Sequence, residues 1–349
     1  MHTTIKDIAS RAGVSSATVS HTINKTRFVS DGIRERVLKA MNELGYSPNH
    51  LARSLRQGQT KTIGLILPDC SNPYFAELGR AIEKAAFKSN YNIILCNTEN
   101  KPEKELFYIN ILSQKQVDGM IFVSTGDDSE NLDQIIKKNI VFVMIDREIF
   151  TENKNRILLV STDHFTGGKI ATEYIINLGH QRIGCLTGPH MLSSSILREE
   201  GYRQALKDAK IPVDERYIIN GNFDAESGYT EVKNLMSASQ PPTAILACND
   251  LNAMGIIRGA VELGLNIPHD LSIVGFDDID LAAFTTPPLT TISQPKEDIA
   301  ESAMEMLISA LNKDSISNNK ITLNTSLVER DSCASPKLKN PRGDKPRGF

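Results

Sequence analysis

The sequence predicts two kinds of structure in one chain: a small helical head containing a helix-turn-helix, and behind it a larger α/β body of two lobes. Three observations carry this. Apolar residues at the N-terminus recur at helical spacing on either side of a glycine, the rest of the chain alternates short Ile/Val/Leu runs with amphipathic stretches, and positive charge is gathered at the front. At 349 residues the chain is long enough for two or three domains, each with its own core.

From Thr4 onward Ile5, Ile8, Ala9 and Ala12 repeat at helical spacing, and Gly13 supplies a residue that tolerates positive φ at a tight turn. Val14 plugs that turn, Ser15 caps the next helix, and Ala17 to Asn24 continue helically with Val19 and Ile23 facing inward. A third helix starts at Ser30 or Asp31, carries Ile33, Val37, Leu38, Met41 and Leu44, and ends at Gly45. Tyr46-Ser47-Pro48 breaks the pattern; Asn49 to Arg56 is again helix-compatible, and Gly58 then leads into the next strand, so this stretch reads as a hinge.

Beyond the hinge, Thr62 to Leu67, Asn92 to Cys96, Gly119 to Val123 and Val141 to Ile145 are strand-like runs separated by amphipathic helical stretches. The pattern restarts after Asp163 with Arg182 to Leu186, Tyr217 to Asn220, Ala244 to Ala247 and Ser272 to Gly275. Such alternation implies parallel sheets with crossover helices, in two similar lobes. Continuous apolar runs mark strands buried on both faces, and the polar residues just after each run reach the crevice beyond the carboxyl edge of the sheet. Thr290 to Pro295, a helix from Lys296 to Leu311 and a strand from Ile321 to Glu329 complete the lobes. The tail from Cys333 has five Lys/Arg against one Asp, with prolines and glycines, and is expected to be disordered.

The net charge of -3 hides an asymmetry, because residues 1–61 hold ten Lys/Arg against four Asp/Glu and leave the remainder acidic. A basic head on an acidic body concentrates positive potential where phosphates can be met, which makes the head the nucleic-acid candidate. No apolar run approaches the roughly 20 residues that span a bilayer, and the first eleven residues do not resemble a signal peptide, so a cytoplasmic protein with no membrane role is expected. The cysteines, Cys70, Cys96, Cys185, Cys248 and Cys333, are odd in number and widely spaced without a CxxC pair, which reads as reduced, mostly buried thiols. There is no GxxxxGK[ST], HExxH or GxSxG, and His164, His180, His190 and His269 lack metal-ligand spacing, so no catalysis, cofactor or metal is expected. The pair Asp277-Asp278 could suggest acid/base chemistry, but carboxylates at a strand end serve equally as acceptors for sugar hydroxyls.

The head TIKDIASRAGVSSATVSHTINKTRFVS and the hinge YSPNHLARSL resemble the LacI family of bacterial regulators. The likeness extends to about Arg330 through TIGLILPDCSNPYFAEL, VDGMIFVS, HQRIGCLTGP, ACNDLNAMG, LSIVGFDDIDLAAFTTPPLTTISQP and LVERDS. It implies a DNA-binding head, a hinge helix that forms on the operator, a two-lobed core like that of periplasmic sugar-binding proteins, and a homodimer on a palindromic operator. The boundaries expected are 1–48 for the head, 49–60 for the hinge helix and linker, 61–162 with 291–320 for the first lobe, 163–290 with 321–332 for the second, and 333–349 for the tail.

In a helix-turn-helix the second helix enters the major groove, which makes Ser16, Ala17, Thr18 and His21 the candidates for base contacts. Ala17 departs from the Thr, Ser or Gln common at this family position and offers a methyl suited to a thymine methyl. Arg27 resembles the family's base-reading arginine, with a phosphate contact as the alternative. Leu55 and Arg56 match the minor-groove element in which paired leucines wedge into a base step; Leu55 could otherwise be core.

A sugar site needs charged or amide groups that bind hydroxyl pairs, together with aromatic platforms. Strand ends supply both: Asn72, Tyr74 and Phe75 after the first run, Asp146 and Arg147 after the fourth, Arg198 in the second lobe, then Phe223, Asn249, Asp277 and Gln294. These match the pattern of periplasmic ribose-binding proteins, with Tyr74 in place of a phenylalanine, and imply D-ribose as the effector of a repressor of ribose uptake and catabolism. Taken singly, Asp146 with Arg147 could be a surface ion pair, and Asn249 or Asp277 a helix cap. The alternatives are a purine corepressor, a periplasmic transport receptor and an enzyme of sugar or nucleoside metabolism.

Overall fold

A computed structural model describes residues 3–46, 59–123, 126, 129–146, 157–315 and 318–337, which fall into two compact units, Met1–Thr60 and Lys61–Phe349. The hinge positions Leu55 and Arg56, and Arg147, lie outside the described residues.

The first unit is a three-helix head. Helix α1 (Ile5–Ala12) opens with a capping box in which the Thr4 hydroxyl accepts from the Asp7 amide and the Asp7 carboxylate accepts from the Thr4 amide at 2.8 Å. It stops at Gly13, whose φ of 65° makes the turn. Helix α2 (Ser16–Asn24) is capped by the Ser15 hydroxyl, which accepts from the Thr18 amide at 3.1 Å, and α3 (Asp31–Glu43) precedes Gly45, also at positive φ. Ile8, Ala9, Ala12, Val19, Val37 and Ala40 form the core, with Val14 and Ile23 packed on it, so the sequence reading of these helices holds.

The second unit has the predicted two-lobed α/β architecture. The first lobe holds β1 (Thr62–Leu67), α4 (Pro73–Lys88), β2 (Asn92–Asn97), α5 (Pro102–Gln114), β3 (Gly119–Phe122), α6 (Ser129–Lys137), β4 (Val141–Ile145) and β5 (Leu158–Thr162). The second holds α7 (His164–Asn177), β6 (Ile183–Thr187), α8 (Ser193–Asp208), β7 (Ile218–Asn220), α9 (Ala225–Met236), β8 (Ala244–Ala247), α10 (Asp250–Glu262), β9 (Ser272–Asp277) and β10 (Thr290–Ser293). The chain then returns through α11 (Lys296–Asn312) and β11 (Lys320–Leu323) to the first lobe and through β12 (Ser326–Val328) to the second. The sheet orders are β11-β5-β4-β3-β1-β2, wholly parallel, and β12-β10-β9-β8-β6-β7, parallel but for the antiparallel β10/β12 pair. All three crossings between lobes lie at one end of the sheets, so the cleft between the lobes faces the carboxyl ends of their parallel strands.

Four expectations differ from the structure. The single strand expected over 321–329 divides into β11 in the first sheet and β12 in the second. The last crossings fall elsewhere than at 290/291 and 320/321: Thr290–Ser293 pairs with β9 in the second sheet, whereas Lys320–Leu323 pairs with β5 in the first. Strand β5 was not anticipated, although it is an ordinary buried run, Leu-Leu-Val-Ser-Thr. The chain also stays anchored past Cys333. Ser332 and Ala334 exchange hydrogen bonds with Ile273 and Ser272, His180 Nε2 lies 2.9 Å from the Ala334 carbonyl, and Lys337 pairs with Asp270 at 2.6 Å. Composition alone underrates this segment, because backbone pairing holds it where apolar burial does not.

Candidate functional site

In the head, α2 turns Val19 and Thr22 inward and leaves Ser16 and Ala17 exposed, with Thr18 and His21 half-buried and Arg27 exposed in the following loop. Ala17 and His21 are four residues apart and share one face of the helix. Two of the five are already engaged: the Thr18 hydroxyl lies 2.9 Å from that of Ser15, and His21 Nδ1 lies 2.8 Å from the Thr26 hydroxyl. Ser16, Ala17 and Arg27 remain open to solvent on a basic unit. Phe28, 94% exposed beside Arg27, was not singled out from sequence.

In the core a cavity of about 480 Å³ lies between the lobes, within the range of small-molecule sites. Eight of the ten residues proposed for an effector line it: Asn72, Tyr74, Phe75 and Asp146 from the first lobe, and Arg198, Phe223, Asn249 and Asp277 from the second. Ser194, Asn222, Leu192 and Asn100 also line it and were not anticipated. Gln294 does not line it. It is 1% exposed behind the wall, where its Nε2 donates to Asp277 Oδ1 at 2.8 Å and its Oε1 accepts from Thr162 at 2.6 Å and Tyr74 at 3.2 Å. With both ends of its amide committed, Gln294 supports the wall.

Local sequence explains these placements. Asn72 caps α4 by accepting from the Tyr74 amide at 3.0 Å, with Pro73 as the first helical residue, which fixes the aromatic pair Tyr74 and Phe75 in the first turn. Asn249 caps α10 by accepting from the Asn252 amide at 2.8 Å while its own amide donates to the Phe223 carbonyl at 2.9 Å. The capping explanation of Asn249 is therefore correct and compatible with its place in the wall. Asp146, Phe223 and Asp277 have φ of 69°, 59° and 113°, a left-handed backbone costly for residues with side chains. Such outliers cluster where a structure holds side chains for a purpose.

Arg198 is the centre of the second-lobe wall. It is 3% exposed, stacks on the Phe276 ring at 3.8 Å, donates to the Cys248 carbonyl and lies 3.6 Å from Asp277 Oδ1. Burial pushes the Asp277 carboxyl up to about 7, against the attraction of Arg198 and the Gln294 hydrogen bond. Asp278 turns away and pairs with Arg330 at 2.7 Å, so Asp277 and Asp278 do not act as a pair. Among the described residues no group of three His, Cys, Asp or Glu is placed to hold a metal ion. A cavity with fixed carboxylate, guanidinium and amide groups beside aromatic rings can bind a small polar ring with several hydroxyls.

Two regions of the chain match models of known families. Residues 4–49 match the bacterial regulatory protein, lacI family, model, and residues 172–333 match a periplasmic binding protein-like domain. The chain is 38% identical over 331 residues to the ribose operon repressor of Escherichia coli (strain K12), covering 94% of this chain and 99% of that protein. It is 41% identical over 337 residues to the HTH-type transcriptional repressor PurR of Edwardsiella ictaluri (strain 93-146), covering 95% and 97%. Among solved structures, the lac repressor dimer bound to operator and an anti-inducer superposes with a TM-score of 0.85 at 27% identity, covering 96% of this chain and 100% of the other.

Proposed function

The chain belongs to the LacI family of DNA-binding transcriptional repressors, and from that membership we propose that its effector is D-ribose, bound in the interlobe cavity and releasing the operator. The observation that carries this reading is the cavity wall. Asp146, Arg198 and Asp277 supply charged groups suited to adjacent hydroxyls, Asn72 and Asn249 supply amides, and Tyr74, Phe75 and Phe223 supply apolar faces for C–H surfaces. Likeness to a ribose operon repressor over nearly the whole chain supports it.

The repressor acts as a homodimer on a palindromic operator, because two-fold protein symmetry is matched by two-fold DNA symmetry. Ser16, Ala17, Thr18, His21 and Arg27 read the major groove, and Leu55 and Arg56 enter the minor groove. Effector closes the lobes, shifts the first lobe against its dimer mate and separates the two hinges, so that operator affinity falls. No described helix is long and apolar enough to cross a membrane, and the protein works where the DNA is, in the cytoplasm.

A purine corepressor is the second reading, favoured by the 41% identity to a purine repressor. Calorimetric titration of the full chain with D-ribose, hypoxanthine and guanine separates them: the proposal expects saturable binding of ribose and none of the purines. Binding of a purine in place of ribose refutes it.

A further inference from the structure

We infer that His164 is the positioning residue of the interlobe cavity: a neutral imidazole, protonated on Nε2, that orients Arg198 of the second lobe and Asp146 of the first. Its effect on effector affinity rests on reading this cavity as the effector site; its tautomer follows from geometry alone.

His164 is the first residue of α7, where the chain crosses from one lobe to the other, and is 2% exposed. Nε and Nη2 of Arg198 both lie 3.3 Å from its Nδ1. A guanidinium has donors only, so Nδ1 must be the acceptor and cannot carry a proton. The proton is then on Nε2, whose hydrogen-bond acceptor is the Asp146 backbone carbonyl at 3.3 Å, with the Asp146 carboxylate close by at 3.2 Å. Asp146 directly follows β4 of the first sheet, whereas Arg198 projects from α8 of the second lobe, so one ring joins the Asp146 backbone and a guanidinium from opposite walls of the cavity.

Among the described residues the charged groups facing the ring are Asp146 and Arg198, with Asp277 acting through Arg198. Asp163 precedes it but is engaged in capping α7 through Thr166. The Thr162 hydroxyl, 3.4 Å from Nδ1, makes its short bond to Gln294 instead, and the Phe276 ring lies 6.1 Å away. A second proton, on Nδ1, would set an imidazolium against the guanidinium and remove the acceptor that orients Arg198.

The full-length protein with ¹⁵N-labelled histidine tests the tautomer by long-range ¹H–¹⁵N NMR, with His164→Asn identifying the signal. The expected pattern is a protonated Nε2 and a bare Nδ1 at neutral pH; an Nδ1–H tautomer or an imidazolium overturns the assignment. Calorimetry with D-ribose at neutral pH then compares wild type, His164→Ala and His164→Asn, whose amide can both accept and donate as the neutral imidazole does. His164→Ala should bind at least about tenfold more weakly, and His164→Asn within about threefold of wild type. Equal affinity in the alanine variant, or an asparagine variant that binds as weakly as the alanine one, overturns the positioning role. The predicted tautomer in a protein that binds no ribose refutes the effector reading and leaves the placement of the imidazole standing.

Discussion

The guanidinium of Arg198 lies 3.6 Å from the carboxylate of Asp277, yet burial outweighs that attraction and lifts the Asp277 carboxyl to about 7. An acid whose folded value exceeds its unfolded value holds its proton more tightly when folded. Its stabilising contribution is complete below the ordinary value of 3.8 and is lost as pH rises through about 7. The loss is on the order of 4 kcal/mol at most. Denaturant midpoints should therefore fall between pH 4 and 7 more steeply in wild type than in Asp277→Asn; buried Asp250, raised in the same direction, is present in both. Parallel profiles would contradict the burial account.

Arg198→Ala should remove the effector response and leave operator binding intact. The substitution strips the buried partner from Asp277 and the donor from His164, a loss of about 3 to 5 kcal/mol where a buried pair is broken. Calorimetry should find no ribose binding, and an operator titration should find repression that ribose no longer relieves. A variant that still responds to ribose would show that Arg198 is not in the site.

Gly168→Ala tests how the helices deliver Arg198. A Cβ at Gly168 would stand 2.2 Å from the Arg198 carbonyl oxygen, and one at Gly201 would stand 2.1 Å from the Phe165 carbonyl oxygen, so α7 and α8 touch backbone to backbone. Even one methyl must push α8, and Arg198 with it, away from the cavity wall. The expected cost is about 1 to 3 kcal/mol of stability, read by thermal denaturation, together with weaker ribose binding. An unchanged melting temperature would mean that the helices yield freely.

Much of this was legible in the sequence because the signals were local. Thr4, Gly13 and Ser15 delimit the helix-turn-helix by capping and turn chemistry, and Asn72 and Asn249 announce cavity-wall positions by preceding helices at strand ends. What was missed depends on distant contacts. Gln294 sits at a strand end like its neighbours, but bonds to Thr162 and Tyr74 from the other lobe draw it behind the wall. His164 was set aside with the scattered histidines because its partners, Asp146 and Arg198, are 18 and 34 residues away. The anchoring of Ser332 and Ala334 on Ser272 and Ile273 is equally invisible to composition.

Arg27→Ala distinguishes base reading from phosphate contact. If Arg27 reads a guanine, its loss costs about 1 to 3 kcal/mol on the operator and relaxes selectivity at one base pair. A uniform loss on all sequences, with a shallower salt dependence, would make it a phosphate contact. Titration of the operator and its single-base variants at two salt concentrations reads the difference.

The central claim, one chain whose DNA affinity is set by a pentose in the interlobe cavity, is tested most directly by titrating a labelled palindromic operator with the purified protein at fixed salt, with and without D-ribose, hypoxanthine or guanine. The account predicts that ribose alone weakens operator binding, and that operator weakens ribose binding by the same factor. Tighter binding with a purine, or indifference to ribose, would contradict it.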